Sequence, residues 1–367
     1  MTVRGAALVT CLLAAVPLAA CGQGQSTSAS PATAATVAAA TAPIGHDPVP
    51  SPPARFSASM AYDAAARSIV LFGGQASASA GGQYLGDTWL WDGHHWTQAH
   101  PAVSPPPRMA ASMAYDAGTR TVVLFGGEGN VLPDGIGPFS DTWTWDGTTW
   151  SRRHPSTSPA ARRSAPMASY PPGDGVLLFG GDIGAGMAPN FVSELWLWKG
   201  GNWSLLHPTQ SPSISTTAEM VYDDATGSVL LYCVIGQEAE MWSWSGSSWV
   251  RQHPSLMPTL RDSGALAYDP ASKTVVLYGG ENLMQDPPYL WDTWNWDGLT
   301  WSERSTHVHP PAVAWASMAY DGVTHQLLLF GGFGTGGSAS QGQKPLPLDP
   351  TSTWLWDGST WTRAIQP

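Results

Sequence analysis

The sequence predicts an all-β fold in which six copies of a four-stranded antiparallel blade close into a β-propeller. Three observations lead to this prediction: an internal repeat, an Asp-Gly turn inside most copies, and regularly spaced tryptophans. The repeat has a period of about 52 residues and is clearest as Ser-Met-Ala-Tyr-Asp at residues 59–63, 112–116 and 317–321. Repeats of about 50 residues that hold four short strands each are typical of propeller blades. The repeat tyrosines are Tyr62, Tyr115, Tyr170, Tyr222, Tyr268 and Tyr320.

Each copy contains four candidate strands, and the second copy shows their order. Residues 108–116 form a strand of small residues, and residues 121–127 form a β-branched strand that ends in a Gly-Gly doublet. Residues 142–145 alternate as a third strand, and Trp150 begins the fourth after Asp146-Gly147. Asp-Gly between apolar residues indicates a hairpin, because both central residues of a type I′ turn need positive φ.

The tryptophans keep one register throughout the repeat. Each copy has Trp-x-Trp, a turn and a closing Trp, which accounts for 18 of the 20 tryptophans. Residues i and i+2 of a strand face the same side, so each pair lies on one face of its sheet. A side chain that recurs in every blade serves the fold, and we expect these tryptophans between blades rather than in a sugar site. They are Trp89, Trp91, Trp96, Trp143, Trp145, Trp150, Trp196, Trp198, Trp203, Trp242, Trp244, Trp249, Trp294, Trp296, Trp301, Trp354, Trp356 and Trp361.

The Gly doublet, the following Asp-x-Trp and the closing Trp resemble the kelch repeat. The resemblance covers residues 54–367, and six copies keep several of its spacings. It implies a six-bladed kelch-type propeller whose strands run outward from the axis in chain order. Because the last copy is complete, we expect blades 1 and 6 to close by face packing rather than by a shared strand.

The N-terminus predicts export and lipid anchoring. Residues 1–20 carry Arg4 and an apolar stretch of 15 residues, which is shorter than the ~20 residues of a membrane-spanning helix. The stretch ends in Leu18-Ala19-Ala20-Cys21, which resembles the lipobox of bacterial lipoproteins; an ordinary cleaved signal peptide is the alternative. The resemblance implies an acylated Cys21 on the outer face of a bacterial membrane. Residues 21–53 are rich in Ala, Ser, Thr and Pro and predict a flexible tether.

Composition and charge narrow the classes of function. Only 12% of residues are charged and the net charge is −11, with no basic cluster beyond two Arg-Arg pairs. Nucleic-acid binding needs a basic face, so we exclude it. We expect a monomer without cofactor or metal, since the four His-Pro histidines lie on successive blades and cannot meet at one ion. These histidines are His100, His154, His207 and His253.

Comparison with two enzyme families predicts no catalytic residues. The turn at Asp146 is similar to the Asp-box of bacterial sialidases, but here Asp is adjacent to Gly. Galactose oxidase, which is built on kelch repeats, needs a copper site with two Tyr, two His and a Tyr–Cys cross-link. Cleavage of residues 1–20 and acylation of Cys21 would leave Cys233 as the one spare thiol. It is expected to be buried and inert. A carbohydrate-active enzyme of the kelch type, either an oxidase or a sugar mutarotase, is the alternative to a binding module; a purely structural surface protein is the third hypothesis.

Arginines and acids vary together along the repeat, which predicts ion pairs within blades. An arginine stands seven residues before the repeat tyrosine in four copies, and an acid follows the Gly doublet in three of them. The first two strands form a hairpin, so both positions lie at its same end. A ring of arginines that binds an anion is the alternative, and Arg55, opposite Gln75, is a ligand candidate without a predicted partner. The predicted pairs are Arg108–Glu128, Arg163–Asp182 and Arg261–Glu281.

The loops between second and third strands are the candidate binding surface. The kelch resemblance implies that they share one face with the connections between blades, whereas copy 4 lacks the Gly doublet and the long loop and predicts a notch. We predict that this face binds an envelope protein, a peptide or a glycan; the alternative is that each aromatic side chain plugs its own loop. Trp291 and Trp315 have no counterparts in other copies and are expected to approach one another. The candidate ligand-binding residues are Trp291, Trp315, Tyr84, Phe139, Phe191, Tyr289 and Arg55.

Overall fold

The computed structural model of the chain describes residues 50–76, 82–131, 135–184, 189–213, 217–334 and 351–364. The predicted signal peptide, Cys21 and nearly all of the tether lie outside the described residues. Across the described ranges, no helix is long and apolar enough to cross a membrane. The helical structure there is a single 3-10 turn at Pro171–Gly173.

The described strands are short, and most have four or five residues. In chain order they are β1 (Arg55–Phe56), β2 (Ser59–Asp63), β3 (Ser68–Phe72), β4 (Gln75–Ala76), β5 (Thr88–Trp91), β6 (Trp96–Ala99), β7 (Arg108–Met109), β8 (Ser112–Asp116), β9 (Thr121–Phe125), β10 (Glu128–Val131), β11 (Gly135–Pro138), β12 (Thr142–Trp145), β13 (Trp150–Arg153), β14 (Met167–Tyr170), β15 (Gly175–Phe179), β16 (Leu195–Lys199), β17 (Asn202–Leu206), β18 (Ala218–Asp223), β19 (Ser228–Ile235), β20 (Glu238–Trp244), β21 (Trp249–Gln252), β22 (Ala265–Asp269), β23 (Thr274–Tyr278), β24 (Thr293–Trp296), β25 (Trp301–Arg304), β26 (Ser317–Asp321), β27 (Gln326–Phe330), β28 (Thr353–Trp356) and β29 (Trp361–Arg363).

Six four-stranded antiparallel sheets form the blades, as the repeat predicts. Their strand orders are β2-β3-β5-β6, β8-β9-β12-β13, β14-β15-β16-β17, β18-β19-β20-β21, β22-β23-β24-β25 and β26-β27-β28-β29. Two smaller sheets, β1-β4 and β7-β10-β11, join the start of a blade to its second-to-third-strand loop. The all-β propeller prediction is therefore confirmed.

Six apolar clusters hold the ring together, and each lies between two neighbouring blades. Seventeen of the 18 repeat tryptophans are buried, and Trp242 is partly buried. In every blade the second Trp of the pair packs on the closing Trp with ring centroids 5.3–5.7 Å apart. One cluster joins blade 6 to blade 1, and the Ser317 hydroxyl donates to the Ala58 carbonyl at 2.7 Å. The ring thus closes by face packing, and the tryptophans are its core, as predicted.

In five blades the closing indole N–H also contacts an acceptor in the preceding blade. The Nε1–H of Trp203 donates to the Thr142 hydroxyl at 2.9 Å, and the closing Trp of blades 1, 2 and 6 has the same kind of threonine partner. The blade 5 indole of Trp301 faces the sulfur of Met241 instead. Trp249 of blade 4 meets Leu195 at the threonine position, and its N–H has no partner among the described residues.

A buried arginine in four blades pairs with the acid that precedes the third strand. The pairs are Arg55–Asp87 at 2.7 Å, Arg108–Asp141 at 2.6 Å, Arg162–Glu194 at 2.7 Å and Arg261–Asp292 at 2.7 Å. Each guanidinium also donates to the carbonyl of the first Gly of its doublet. Burial opposes ionisation of Asp141, but the hydrogen bonds and charge of Arg108 outweigh it and hold the pKa of that carboxyl below its usual value.

These contacts correct three predictions. The pairs Arg108–Glu128 and Arg261–Glu281 are wrong, because each guanidinium reaches beneath the doublet to the third strand rather than to the residue after the doublet. Arg55 is not a free cation, since Asp87 accepts two hydrogen bonds from it. Its candidacy as a ligand residue is therefore overturned.

Blade 3 is shifted by one residue relative to the tyrosine register. Ser169 pairs with Val176 as Tyr62 pairs with Ile69, so Ser169 holds the repeat tyrosine position. Arg162 consequently makes the buried pair, and its neighbour Arg163 is left at the rim. There Arg163 does contact Asp182, at 2.9 Å, but it also contacts Glu128 of blade 2, so it bridges two blades.

Candidate functional site

The first strands of the six blades enclose two stacked cavities on the propeller axis, of about 160 and 190 Å³. The lining follows the repeat in layers, because each blade contributes the same positions. The outermost layer, which we call the axial mouth, consists of Ser57, Ala110, Ser164, Thr217, Ser263 and Trp315. Below it lie Ala58, Ala111, Ala165, Ala218, Gly264 and Ala316. The innermost layer is Met60, Met113, Met167, Met220, Leu266 and Met318.

Backbone hydrogen bonds between blades fix the axial mouth. Five of its residues have φ between 51° and 56°, the left-handed region that non-glycine residues rarely adopt. The N–H of Ala110 donates to the Ser57 carbonyl at 2.8 Å, that of Ser57 to Trp315 at 2.9 Å, and that of Trp315 to Ser263 at 2.9 Å. Trp315 is the bulkiest residue held in this conformation, and such backbone outliers cluster at functional sites.

The layer between alanines and methionines contains one charge. In three blades a serine occupies this position, and its hydroxyl donates to a carbonyl of the adjoining blade at 2.5–2.8 Å. Blade 4 has Glu219, which borders both cavities and is their sole charged lining residue in the described part of the chain. Burial raises the pKa of the Glu219 carboxyl to about 8, and the charge of Asp262 adds to the rise. The layer consists of Ser59, Ser112, Pro166, Glu219, Ala265 and Ser317.

Further carboxyls surround the axial mouth on the blade 5 side. Asp262 and Glu281 exchange two backbone hydrogen bonds of 2.9 Å each, which places both residues beside Ser263. Burial raises the pKa of Glu281 to about 7, and Asp262 again contributes. In the described ranges, no group of three or more His, Cys, Asp or Glu residues is arranged to hold a metal ion.

Aromatic rings occupy the blade 6 and blade 1 side of the axial mouth. The Phe333 ring lies 5.8 Å from Phe56, 5.9 Å from Tyr289 and 6.4 Å from Trp315, measured between centroids. Phe56 and Trp315 are themselves 6.4 Å apart. Phe333 keeps 40% of its surface exposed although it is a large apolar residue. We name Phe56, Tyr289, Trp315 and Phe333 the aromatic cluster.

The other predicted aromatic residues mainly secure their loops. Phe139 lies under the Arg108 guanidinium at 4.1 Å, and the Tyr84 hydroxyl donates to Glu128 at 3.1 Å. Phe191 forms a backbone bridge with Asp182, the residue after the doublet. The contact of Phe139 agrees with the plugging alternative, whereas Tyr84 joins its loop to blade 2.

The two non-repeat tryptophans have separate partners rather than one shared site. Trp291 stacks on His309, with centroids 4.4 Å apart and an interplanar angle of 24°. Trp315 instead belongs to the aromatic cluster. Of the predicted candidates, the structure therefore brings Trp315 and Tyr289 together. Trp291 instead packs against the connection between blades 5 and 6, through His309.

Blade 4 has a tight hairpin where its neighbours have long loops. Strands β19 and β20 pair up to Ile235 and Glu238, so two residues make the turn. Cys233 lies within β19, free and buried; burial raises the pKa of its thiol to about 12, with a further rise from Glu240. The predicted notch thus falls on the blade that carries Glu219.

Sequence reasoning missed Glu219 and Phe333. Both belong to the repeat, so they were counted with the scaffold when the repeat was subtracted. The available signal is the residue type at a fixed repeat position: Glu219 replaces Ser, Pro or Ala, and Phe333 replaces an acid or Gln. A comparison of the six copies position by position would have singled out both residues.

Comparison with known proteins supports the fold. No family model matches the sequence. A solved structure described as "Structure of YjhT", a kelch-type propeller protein, matches with a TM-score of 0.60 and 16% sequence identity, covering 85% of this chain and 98% of that chain. At this identity the match shows the fold alone, a kelch-like β-propeller.

Proposed function

We propose that the chain is a lipid-anchored extracytoplasmic binding module that recognises a protein, peptide or glycan through its loop face, at the axial mouth. The observation that carries this proposal is the aromatic cluster, which borders an open cavity and leaves Phe333 exposed. Aromatic side chains are enriched at binding hot spots, where they supply contact area at little entropic cost. Loops held on a rigid scaffold are the usual place for such sites.

Comparison of equivalent positions in the six blades indicates that these aromatic residues are not needed for folding. At the position of Trp315 the other described blades have Ser, Ala or Thr, and the Ser and Ala residues form the same left-handed backbone. At the position of Phe333, three blades have an acid and one has Gln. Since the other blades form without an aromatic residue at the positions of Trp315 and Phe333, the aromatic cluster in one sector of the axial mouth favours recognition.

Substitutions that restore the repeat residue provide the test. Trp315→Ser introduces the residue that blades 1, 3 and 5 have, and Phe333→Gln introduces that of blade 1. Each should weaken binding to a ligand found by glycan array or envelope pull-down at least tenfold, or ~1.4 kcal/mol, with the melting temperature within a few degrees of wild type. Trp291→Ala is the matched control on the loop face away from the axial mouth. Normal binding by both mouth variants contradicts the proposal.

Anchoring is tested separately. The lipobox at residues 18–21 and the tether of residues 21–53 support attachment to the outer face of a bacterial membrane. Cys21→Ala should move the protein from the membrane fraction to the soluble fraction, and mass spectrometry should find an acylated Cys21 as the first residue of the native chain. A different first residue, or an unmodified Cys21, contradicts anchoring without affecting the binding proposal.

A second candidate is a carbohydrate-active enzyme. The observation that favours it is the pair of carboxyls with pKa values raised to about 8 for Glu219 and about 7 for Glu281 by burial. Carboxyls that titrate near neutral pH are suited to general acid–base catalysis. An enzyme would turn over a bound sugar, and Glu219→Gln would then abolish turnover while leaving sugar binding largely intact.

A further inference from the structure

We infer that the axial cavity accepts a cationic group, namely an ammonium on a ring-sized or aminoalkyl body, with the Glu219 carboxylate as its counter-ion. The inference rests on the proposed function, because it names the ligand class of the same site. Three features carry it: the position of Glu219 in the cavity wall, the shortage of available cations at the axial mouth, and the aromatic cluster beside it.

The position of Glu219 has no explanation in the fold. Serine at this place donates to the carbonyl of the adjoining blade, as Ser59 does to Ala111 and Ser112 does to Ala165. The equivalent acceptor for blade 4 is the carbonyl of Gly264, and no hydrogen bond joins it to Glu219. The described residues provide no hydrogen-bond partner for the Glu219 carboxyl. Glu219 is half-buried and lines both cavities; a partly desolvated carboxyl without a counter-charge is costly, so a cationic ligand supplies what the protein lacks.

The charges around the axial mouth exclude an anionic ligand. Arg163 lies at the rim, and both Glu128 and Asp182 already contact it. The arginines beneath the rim are buried and paired with the acids before the third strands. Asp262 lies close enough to Glu219 and to Glu281 for its negative charge to help raise the pKa of each. An ammonium group relieves this repulsion, whereas a carboxylate or phosphate increases it.

Size and shape define the body that carries the cation. An engineered cavity of about 150 Å³ is large enough for benzene, so the outer cavity of about 160 Å³ admits one ring or a short aminoalkyl chain. Alanine and glycine form the wall above Glu219, which leaves the path to the carboxyl open. Trp315 and Phe333 flank the approach, and the faces of aromatic rings attract cations.

Three probes of similar size and different charge provide the test: benzylamine, benzyl alcohol and benzoate. Titration calorimetry and the NMR shift of the Trp315 indole N–H measure binding to the mature protein. We expect benzylamine to bind at least tenfold more tightly than benzyl alcohol, and benzoate to bind most weakly. Equal affinities for amine and alcohol, a preference for benzoate, or no binding of any probe at millimolar concentration overturns the inference.

Two variants separate this inference from the proposed function. Glu219→Ser introduces the repeat residue, so it should keep or raise the melting temperature while it abolishes the preference for benzylamine over benzyl alcohol. Trp315→Ser should weaken both probes together. If Glu219→Ser retains the full amine preference, the cation site is wrong although the axial mouth still binds. If Trp315→Ser binds both probes as wild type does, the mouth assignment itself fails.

Discussion

Blade 2 and blade 4 share four strands and the same tryptophans, yet they differ at several polar positions of the repeat. In blade 2, Arg108 pairs with Asp141, and Thr142 accepts the indole N–H of Trp203. In blade 4, Glu240 pairs instead with an arginine of the fourth strand at 2.7 Å, and methionine and glutamate replace the threonine and the serine. The residues that blade 4 uses are Glu240, Arg251, Met241 and Glu219.

The difference shows which parts of the repeat the fold requires. Apolar positions are kept in both blades, because blade faces must exclude water on both sides. Polar positions change as sets: where the arginine is absent in blade 6, the acid is absent too, and Ser352 stands there. A blade can therefore exchange its polar set as long as no charge is left buried alone. Glu219 lines the axial cavity without a charged partner among the described residues, which is why we assign it to a ligand.

The largest expected effect concerns the shared tryptophans. Trp145→Ala in blade 2 removes a fully buried ring and should lower the free energy of unfolding by ~3–5 kcal/mol. Trp244→Ala in blade 4 should cost a similar amount, because its side chain is 3% exposed. Urea denaturation with unchanged m-values measures both. A loss below about 1 kcal/mol in blade 4 alone would show that its apolar positions are also dispensable.

The next largest effect should distinguish the ion pair Arg108–Asp141 of blade 2 from the more exposed pair Arg251–Glu240 of blade 4. Arg108→Met leaves the buried Asp141 without its partner and should cost ~3–5 kcal/mol at pH 7. Arg251→Met removes a guanidinium that is 42% exposed, and the loss should stay near ~0–1 kcal/mol. Equal losses from the two substitutions would contradict the comparison.

The same pair predicts a dependence on pH. Because the folded pKa of Asp141 is lowered, its contribution is present above the unfolded pKa and is lost as pH falls through the folded value. In Arg108→Met the pKa of Asp141 should rise, so the difference between wild type and variant should shrink in acid. Unfolding measured from pH 7 down to pH 3 checks this sign, and a constant difference across that range speaks against the pair.

A smaller effect is expected from the threonine that accepts the closing indole. Thr142→Val leaves the Nε1–H of Trp203 buried without its acceptor and should cost ~1–3 kcal/mol. Thr142→Ser retains the hydroxyl and is the matched control. Blade 4 already has an unpartnered indole at Trp249, opposite Leu195, so Leu195→Thr should cost much less than an apolar-to-polar change in a core usually does. If Thr142→Ser lowers the free energy of unfolding as much as Thr142→Val does, the effect comes from packing rather than from the hydrogen bond.

The fold was predictable because its determinants repeat six times, whereas the ion pairs depend on side-chain reach. Glu128 and Asp141 both lie at the loop end of blade 2, and strand order alone does not tell which one Arg108 meets. In blade 3 the tyrosine register favoured Arg163, but the Met-Ala dipeptide at residues 167–168, aligned with residues 60–61, indicates Arg162.

The candidate site was only partly predictable for a related reason. Trp315 was found because it has no counterpart in other copies, but the same criterion also selected Trp291, which stacks on His309. Being unusual within a repeat shows that a residue differs; it does not show which part of the surface the residue occupies. Glu219 lies within a strand of the repeat, and its position in the cavity wall follows from the ring of six blades rather than from any local pattern.

The smallest effect is a gain of stability in blade 1. The repeat aspartate accepts a hydrogen bond from a hydroxyl three residues later in four blades, for example from Thr119 to Asp116 at 2.8 Å. Blade 1 has Ala66 at this place, and the Oδ2 of Asp63 is buried without a partner among the described residues. Burial accordingly raises the pKa of Asp63 above its ordinary value.

Ala66→Thr should supply the missing hydroxyl and raise the free energy of unfolding by ~0.5–1.5 kcal/mol at pH 7. The space is suitable, since a threonine methyl already packs against the equivalent turn glycine at Gly298. Because the folded pKa of Asp63 is raised, its carboxyl favours the folded state only below the unfolded pKa and opposes it as pH rises through the folded value. The gain from the hydroxyl should therefore be largest near neutral pH and fade in acid, where Asp63 is protonated. Ala66→Val has the same shape without the hydroxyl, and equal stability of the two variants would show that the orphaned oxygen of Asp63 is not what distinguishes blade 1.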